Sequence, residues 1–157
     1  MQAHTTVPSP IGDLLLTRDG AAVTGLYLRP DHPVDGARDD DAFDDVRAQL
    51  DEYFAGRRTT FDLQLAPSGT PFQRRVWDAL REIPYGRTAT YGEIARRIGS
   101  PTSSRAVGMA NGRNPISVIV PCHRVIGANG QLVGYGGGLD RKRALLELEA
   151  TLLATQV

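Results

Sequence analysis

Apolar positions divide the chain into a β-patterned start and a helical remainder. Leu14-Leu15-Leu16 and Val23, Leu26 and Leu28 flank the dipeptide Asp19-Gly20. Two apolar runs around Asp-Gly predict a hairpin over residues 12–17 and 22–28, since both turn residues tolerate the positive φ of a tight turn. Residues 31–41 are polar, with Pro33 and the run Asp39-Asp40-Asp41, and read as a loop. Phe43, Val46, Leu50 and Phe54 recur at helical spacing and predict one inward helix face, stopped by Gly56. Residues 60–65 alternate and read as a further strand. The first half is therefore expected to be a small sheet carrying a helix.

Ala66-Pro67-Ser68-Gly69 marks a lobe boundary, giving an N-terminal lobe over residues 1–66 and a second domain over 70–157. Thr70-Pro71-Phe72-Gln73 is a capping box with proline at the first helical position. Phe72, Val76, Ala79, Leu80 and Ile83 form its inward face, and Pro84-Tyr85-Gly86 ends the helix. A second box, Thr90-Tyr91-Gly92-Glu93, opens a short helix with Ile94, Ala95 and Ile98 inward, closed by Gly99. A third helix starts near Ser103, with Ala106, Val107 and Ala110 inward. Two short helices joined by a tight glycine-containing turn are a helix-turn-helix outline. Residues 116–120 are β-branched and apolar up to Pro121, which predicts a buried strand, with residues 124–126 as another. Gly134 to Gly138 form a loop of wide backbone freedom. Asp140 is placed to cap a last helix with Leu145, Leu148 and Leu152 inward.

Charge sharpens this division. The chain of 157 residues has zero formal net charge, yet residues 1–69 carry a net −6 and residues 70–157 a net +6. A polyanion would be drawn only to the second half. No run of about 18 apolar residues is present, so no membrane span is expected. The start of the chain lacks the basic and apolar segments of a signal peptide, and a cytoplasmic protein is expected. One cysteine cannot close an internal disulfide, in keeping with a reducing compartment.

That cysteine, Cys122, is followed by His123 and Arg124. A thiol is a strong nucleophile only as the thiolate, which basic neighbours favour. His123 is placed to accept the proton, and a carboxylate on the last helix, Glu147 or Glu149, to orient the imidazole.

Arg105-Ala106-Val107-Gly108, Ala110, Asn114-Pro115 and Pro121-Cys122-His123-Arg124-Val125 resemble, in identity and spacing, the signature of the O6-alkylguanine-DNA alkyltransferases. The likeness extends upstream through Phe72-Gln73, Val76-Trp77, Ile83-Pro84-Tyr85-Gly86 and Tyr91-Gly92-Glu93-Ile94-Ala95. Downstream it takes in Tyr135, Gly137-Gly138, Leu145-Leu146 and Glu149, so that it spans residues 70–150. The resemblance implies an α/β (α+β) fold with a ribonuclease H-like N-terminal lobe and a winged helix-turn-helix second lobe. It implies direct-reversal repair of DNA by a single-use methyltransferase. The alkyl group of O6-alkylguanine, and of O4-alkylthymine as a further substrate, would pass from double-stranded DNA to Cys122 after base flipping.

The same resemblance implies the roles. His123, through a water, and Glu149 generate the thiolate, which selects Glu149 over Glu147. Tyr135 donates a proton to the leaving guanine. Val125, Gly136 and Gly137 line the base pocket. Asn114, Pro121 and Arg124 support the site. Arg105 fills the gap left by the flipped base, Tyr91 crowds the target's phosphate, and Ser103, Ala106, Gly108, Ala110 and Arg113 meet the minor groove. Gly136 stands where many relatives carry serine, which removes one hydroxyl near the base. No cofactor is implied. With no cysteine in the first lobe, the zinc site of some eukaryotic relatives is not expected. A monomer in solution is expected, with cooperative loading on DNA left open. The competing readings are a non-catalytic alkyltransferase-like damage sensor, which would lack the cysteine, and a Cys-His-Glu hydrolase, which would leave the helix-turn-helix unexplained.

Overall fold

The computed structural model describes residues 1–135 and 137–155, and the chain forms two compact units. The first comprises Met1–Ser68 with Pro115–Ile119, and the second comprises Gly69–Asn114 with the chain from Val120 onward. The second unit is thus not one continuous stretch, because five residues in its middle belong to the first.

In the first unit, β1 (Gln2–Val7) pairs antiparallel with β2 (Leu14–Asp19), which pairs antiparallel with β3 (Ala22–Tyr27). A two-residue strand, β4 (Ala37–Arg38), lies parallel to β1, so the sheet order is β3-β2-β1-β4. The hairpin turns at Gly20, whose φ of +59° matches the turn chemistry read from Asp-Gly. Residues 60–64 are not a strand. Their chain instead meets the edge of β3 only around Leu65, through Val23 N–H to the Gln64 carbonyl (2.8 Å) and Ala66 N–H to the Val23 carbonyl (2.8 Å).

The predicted strand over residues 116–120 is also absent. Ile116 makes a single bridge to Leu26, and Val118 then takes φ +71°, which a β-branched residue adopts only at a cost. That turn breaks any ladder. The first-unit helix, α1 (Asp44–Phe54), buries Val46, Leu50 and Tyr53; Phe54 is half-buried, so Tyr53 fills the place expected for it. Buried Arg18 joins sheet to helix by donating to Asp45 at 2.8 Å.

In the second unit, α2 (Pro71–Leu80) begins with the capping box as read: Thr70 accepts from Gln73 N–H, and Gln73 accepts in return. Its buried face holds Val76, Trp77, Ala79 and Leu80, with Phe72 half-buried. The two-residue strand β5 (Ala89–Thr90) leads into α3 (Tyr91–Arg97), which also has its box at Thr90 and Glu93. Gly99, at φ +77°, turns the chain toward α4 (Ser104–Gly112). Val107, Ala110 and Asn111 are buried on α4; Ala106 is exposed, contrary to the inward face drawn from periodicity. The indole N–H of Trp77 on α2 donates to the Ala110 carbonyl (2.8 Å) and locks the two helices together. Cys122–Arg124 forms a 3-10 turn, β6 (Val125–Ile126) pairs parallel with β5, and α5 (Leu139–Thr155) ends the described chain. Asp140 lies inside the first turn of α5 rather than ahead of it. Among the described side chains of α5, Lys142, Leu145 and Glu149 are buried, whereas Leu148 and Leu152 are half-buried.

Candidate active site

Cys122 is buried at the start of the 3-10 turn and held by its own backbone. Its N–H donates to the Val120 carbonyl (2.8 Å), a tight turn around Pro121. Two amides from the end of the helix-turn-helix grip the same segment. Asn114 Nδ2 donates to the Val120 carbonyl (2.8 Å), and Asn111 Nδ2 donates to the Cys122 carbonyl (3.3 Å). Asn111 was not singled out from sequence, since a polar residue near a helix end reads as solvated.

The next residue turns its ring toward α5. His123 is fully buried, and its Nε2 lies 2.7 Å from Glu149 Oε2. Glu149 also receives Arg124 Nε on Oε1 (2.8 Å) and the Arg124 Nη2 on Oε2 (3.0 Å). The remaining arm of Arg124 donates to the Ile83 carbonyl (2.7 Å), and its guanidinium lies 5.7 Å from the centre of the Tyr85 ring. Burial alone would raise the Glu149 pKa, but hydrogen bonds from His123 and Arg124 outweigh it and hold the carboxyl at about 2. Glu149 is therefore a carboxylate and only accepts.

This fixes the tautomer of His123. Burial lowers its pKa, so the ring is neutral, and the proton facing Glu149 must be on Nε2. Nδ1 then carries the lone pair; it is buried and has no hydrogen-bond partner among the described residues. A neutral imidazole with an oriented, unengaged Nδ1 has the chemistry to accept a proton.

The Tyr135 hydroxyl is likewise buried without a partner of ordinary geometry among the described residues. Burial first, and then the neighbouring Cys122, raise its pKa well above 10, so it stays protonated and able to donate. Val125 is fully buried in β6, and the Gly137 carbonyl accepts from Arg141 (3.2 Å). Gly136, expected in the base pocket, lies outside the described residues.

The outer face of α4 carries Arg105, Ala106, Met109 and Gly112, with Arg113 at its C-cap, all exposed. Met109 was not picked out from sequence, yet it stands 59% exposed on this face. Ser103 caps the helix without a side-chain hydrogen bond, and Gly108 is half-buried with its α-carbon facing the Tyr91 ring. Ala110 does not share the outer face: it is buried, with its carbonyl taken by Trp77. Tyr91, half-buried at the start of α3, donates its hydroxyl to the Val133 carbonyl (3.1 Å). Among the described residues no cluster of three or more metal-ligating side chains occurs, and no helix is long and apolar enough to cross a membrane.

Within one unit, then, stand a helix-turn-helix and a buried thiol beside an oriented base: the outline of a cysteine-based transfer protein with a nucleic-acid-binding motif. Two family models cover the chain. The one described as 6-O-methylguanine DNA methyltransferase, ribonuclease-like domain, matches residues 3–67, and the one described as 6-O-methylguanine DNA methyltransferase, DNA binding domain, matches residues 71–151. The methylated-DNA–protein-cysteine methyltransferase of Mycobacterium bovis is 54% identical over 151 residues, 93% of this chain and 91% of its own. That of Methanosarcina acetivorans is 52% identical over 148 residues, 91% of this chain and 95% of its own. A crystal structure of Mycobacterium tuberculosis OGT in complex with DNA superposes with a TM-score of 0.92 at 54% identity, covering 96% of this chain and 94% of that one. The chain belongs to the 6-O-methylguanine DNA methyltransferase family, and its α+β fold, with a ribonuclease-like lobe and a DNA-binding lobe, is that family's.

Proposed function

We propose that this protein repairs alkylated double-stranded DNA by moving the alkyl group from guanine O6 to Cys122, once per molecule. The observation that carries the reading is the His123–Glu149 pair beside Cys122, which leaves Nδ1 as the acceptor. The thiol proton passes to Nδ1, directly or through a water, and Glu149 stabilises the imidazolium so formed. The Cys122 sulfur pair attacks the alkyl carbon in line with the C–O6 bond. That bond breaks with its electrons on the guanine, and the Tyr135 hydroxyl is the group that protonates it. The proton held on His123 restores the balance through solvent, so the net products are a thioether and guanine. A thioether has no easily displaced group, which makes the reaction single-use.

The target atom is inaccessible inside a stacked duplex, so the base must leave the stack. Arg105, exposed on α4, suits the space left behind, and the small residues Ala106 and Gly112 on the same face suit close approach to a minor groove. Minor-groove contacts carry little sequence information, as befits a protein that must act wherever damage lies. Val125, Tyr135 and Gly137 would hold the base, and Tyr91 would bias the target nucleotide toward rotation. O4-alkylthymine presents the same alkyl–oxygen bond. A reducing, cytoplasmic setting suits a thiol that must remain reduced. One outward recognition helix per chain suits a monomer.

Exchange of Cys122→Ser is expected to leave duplex binding intact and to abolish capture of a radiolabelled methyl group from O6-methylguanine DNA. Labelled protein from that variant would overturn the mechanism.

A further inference from the structure

Asn111 is the polar residue that α4 buries: it is 2% exposed, on the face shared with Val107 and Ala110. Its Nδ2 donates to the Cys122 carbonyl at 3.3 Å. A carbonyl only accepts, so the amide nitrogen must face it, and the amide oxygen is turned away from it. That oxygen, Oδ1, is buried and has no hydrogen-bond partner among the described residues. An amide oxygen taken out of water without a donor is costly, and a folded protein keeps few such atoms without a reason.

Two other buried polar atoms beside Cys122 share this condition, His123 Nδ1 and the Tyr135 hydroxyl. Alkyl transfer gives work to both: the first takes the thiol proton, and the second protonates the leaving guanine. Asn111 Oδ1 is used by neither step. An amide is neither acid nor base at ordinary pH, so this oxygen moves no proton; it only accepts a hydrogen bond. The chemistry of the substrate singles out the donor. Alkylation at O6 removes the N1 proton of guanine, so the 2-amino group is the sole N–H donor that the base retains. A base that has left the duplex for a buried site has taken that amino group from its pairing partner and from water, and the group needs an acceptor. An acceptor without a donor beside the nucleophile matches a donor without an acceptor on the base.

We propose that Asn111 Oδ1 accepts a hydrogen bond from the 2-amino group of the flipped O6-alkylguanine, which makes Asn111 a specificity-determining residue. The bond from Nδ2 to the Cys122 carbonyl holds the amide in place, so the base is read by a side chain tied to the backbone of the nucleophile. The role rests on the alkyl-transfer reading, but its measure is a ratio of two substrates rather than activity itself. A side chain that merely braced Cys122 would act on both substrates alike.

The test compares methyl transfer from O6-methylguanine with transfer from O6-methylhypoxanthine, which lacks only the 2-amino group. Each lesion is placed opposite an abasic site in the same duplex, so that base pairing does not differ. The unaltered protein should transfer from O6-methylguanine faster by about tenfold or more, as expected for one hydrogen bond to a buried acceptor. Asn111→Leu, close to the original in size, should bring the two rates to within about twofold of each other, whatever its overall rate. A preference that survives undiminished in Asn111→Leu would overturn the proposal and leave Asn111 as a brace for Cys122. Should Asn111→Leu not fold, the unaltered protein decides: equal rates on the two duplexes overturn the proposal, and a preference of the expected size supports it. Absence of transfer from O6-methylguanine to the unaltered protein would instead count against alkyl transfer itself.

Discussion

Glu149 is the residue on which the site depends. It is 1% exposed, takes three hydrogen bonds, and both orients His123 and neutralises Arg124. Replacement Glu149→Gln leaves the Arg124 charge buried without its partner, which should cost about 3–5 kcal/mol in urea unfolding, and should slow alkyl transfer at the same time. The two titrating groups set the acid limit. His123, neutral in the fold, loses out to the unfolded chain as pH falls below about 6.5, because only the unfolded imidazole gains a proton there. Glu149, held at about 2, adds stability that is complete above its ordinary 4.5 and vanishes as pH falls toward 2. Thermal melts should therefore decline in two stages on acidification, the lower stage absent from Glu149→Gln. At this scale the sequence spoke unevenly. Cys122 and His123 are adjacent and announce themselves, but spacing alone could not separate Glu147 from Glu149; burial does, since Glu147 is exposed. Lys142 and Asn111 were illegible because nothing local marks a polar side chain that the fold will bury.

Elements were legible where local chemistry decides them. Both capping boxes, at Thr70 and Thr90, form as written, because the hydrogen bonds that start a helix are made by residues three apart in sequence. The hairpin at Gly20 follows for the same reason. Strands set by distant partners were not. β1 has few apolar residues and owes its existence to pairing with β2. Residues 116–120 have strand composition, but Val118 at φ +71° breaks the run. Helix α4 carries its own prediction. In the proposed flipping role, exposed Arg105 would have no task when the target base is already free. Arg105→Ala should thus depress repair of duplex O6-methylguanine by tenfold or more while reaction with free O6-benzylguanine stays close to that of the unaltered protein, roughly a 1.4 kcal/mol difference confined to the duplex. Equal losses on both substrates would remove Arg105 from the flipping role.

For the whole molecule, the two halves of the sequence carry opposed net charges, and the chain forms two units. What charge and composition could not reveal is that Pro115–Ile119 leaves the second unit to hydrogen-bond with β3 of the first before the chain reaches Cys122. That excursion is a tertiary pairing between residues far apart in sequence, around Leu26 and Ile116, with no local signal. Single-use transfer is a claim about the protein entire, since the molecule is both catalyst and product. Its most direct test is the intact mass of the protein after incubation with excess duplex containing one O6-methylguanine, followed by peptide mapping. A gain of one methylene unit, located on Cys122 and stopping at one equivalent per molecule, is the expected result. Tight binding of the duplex with no change in mass would contradict alkyl transfer and make the protein a damage sensor.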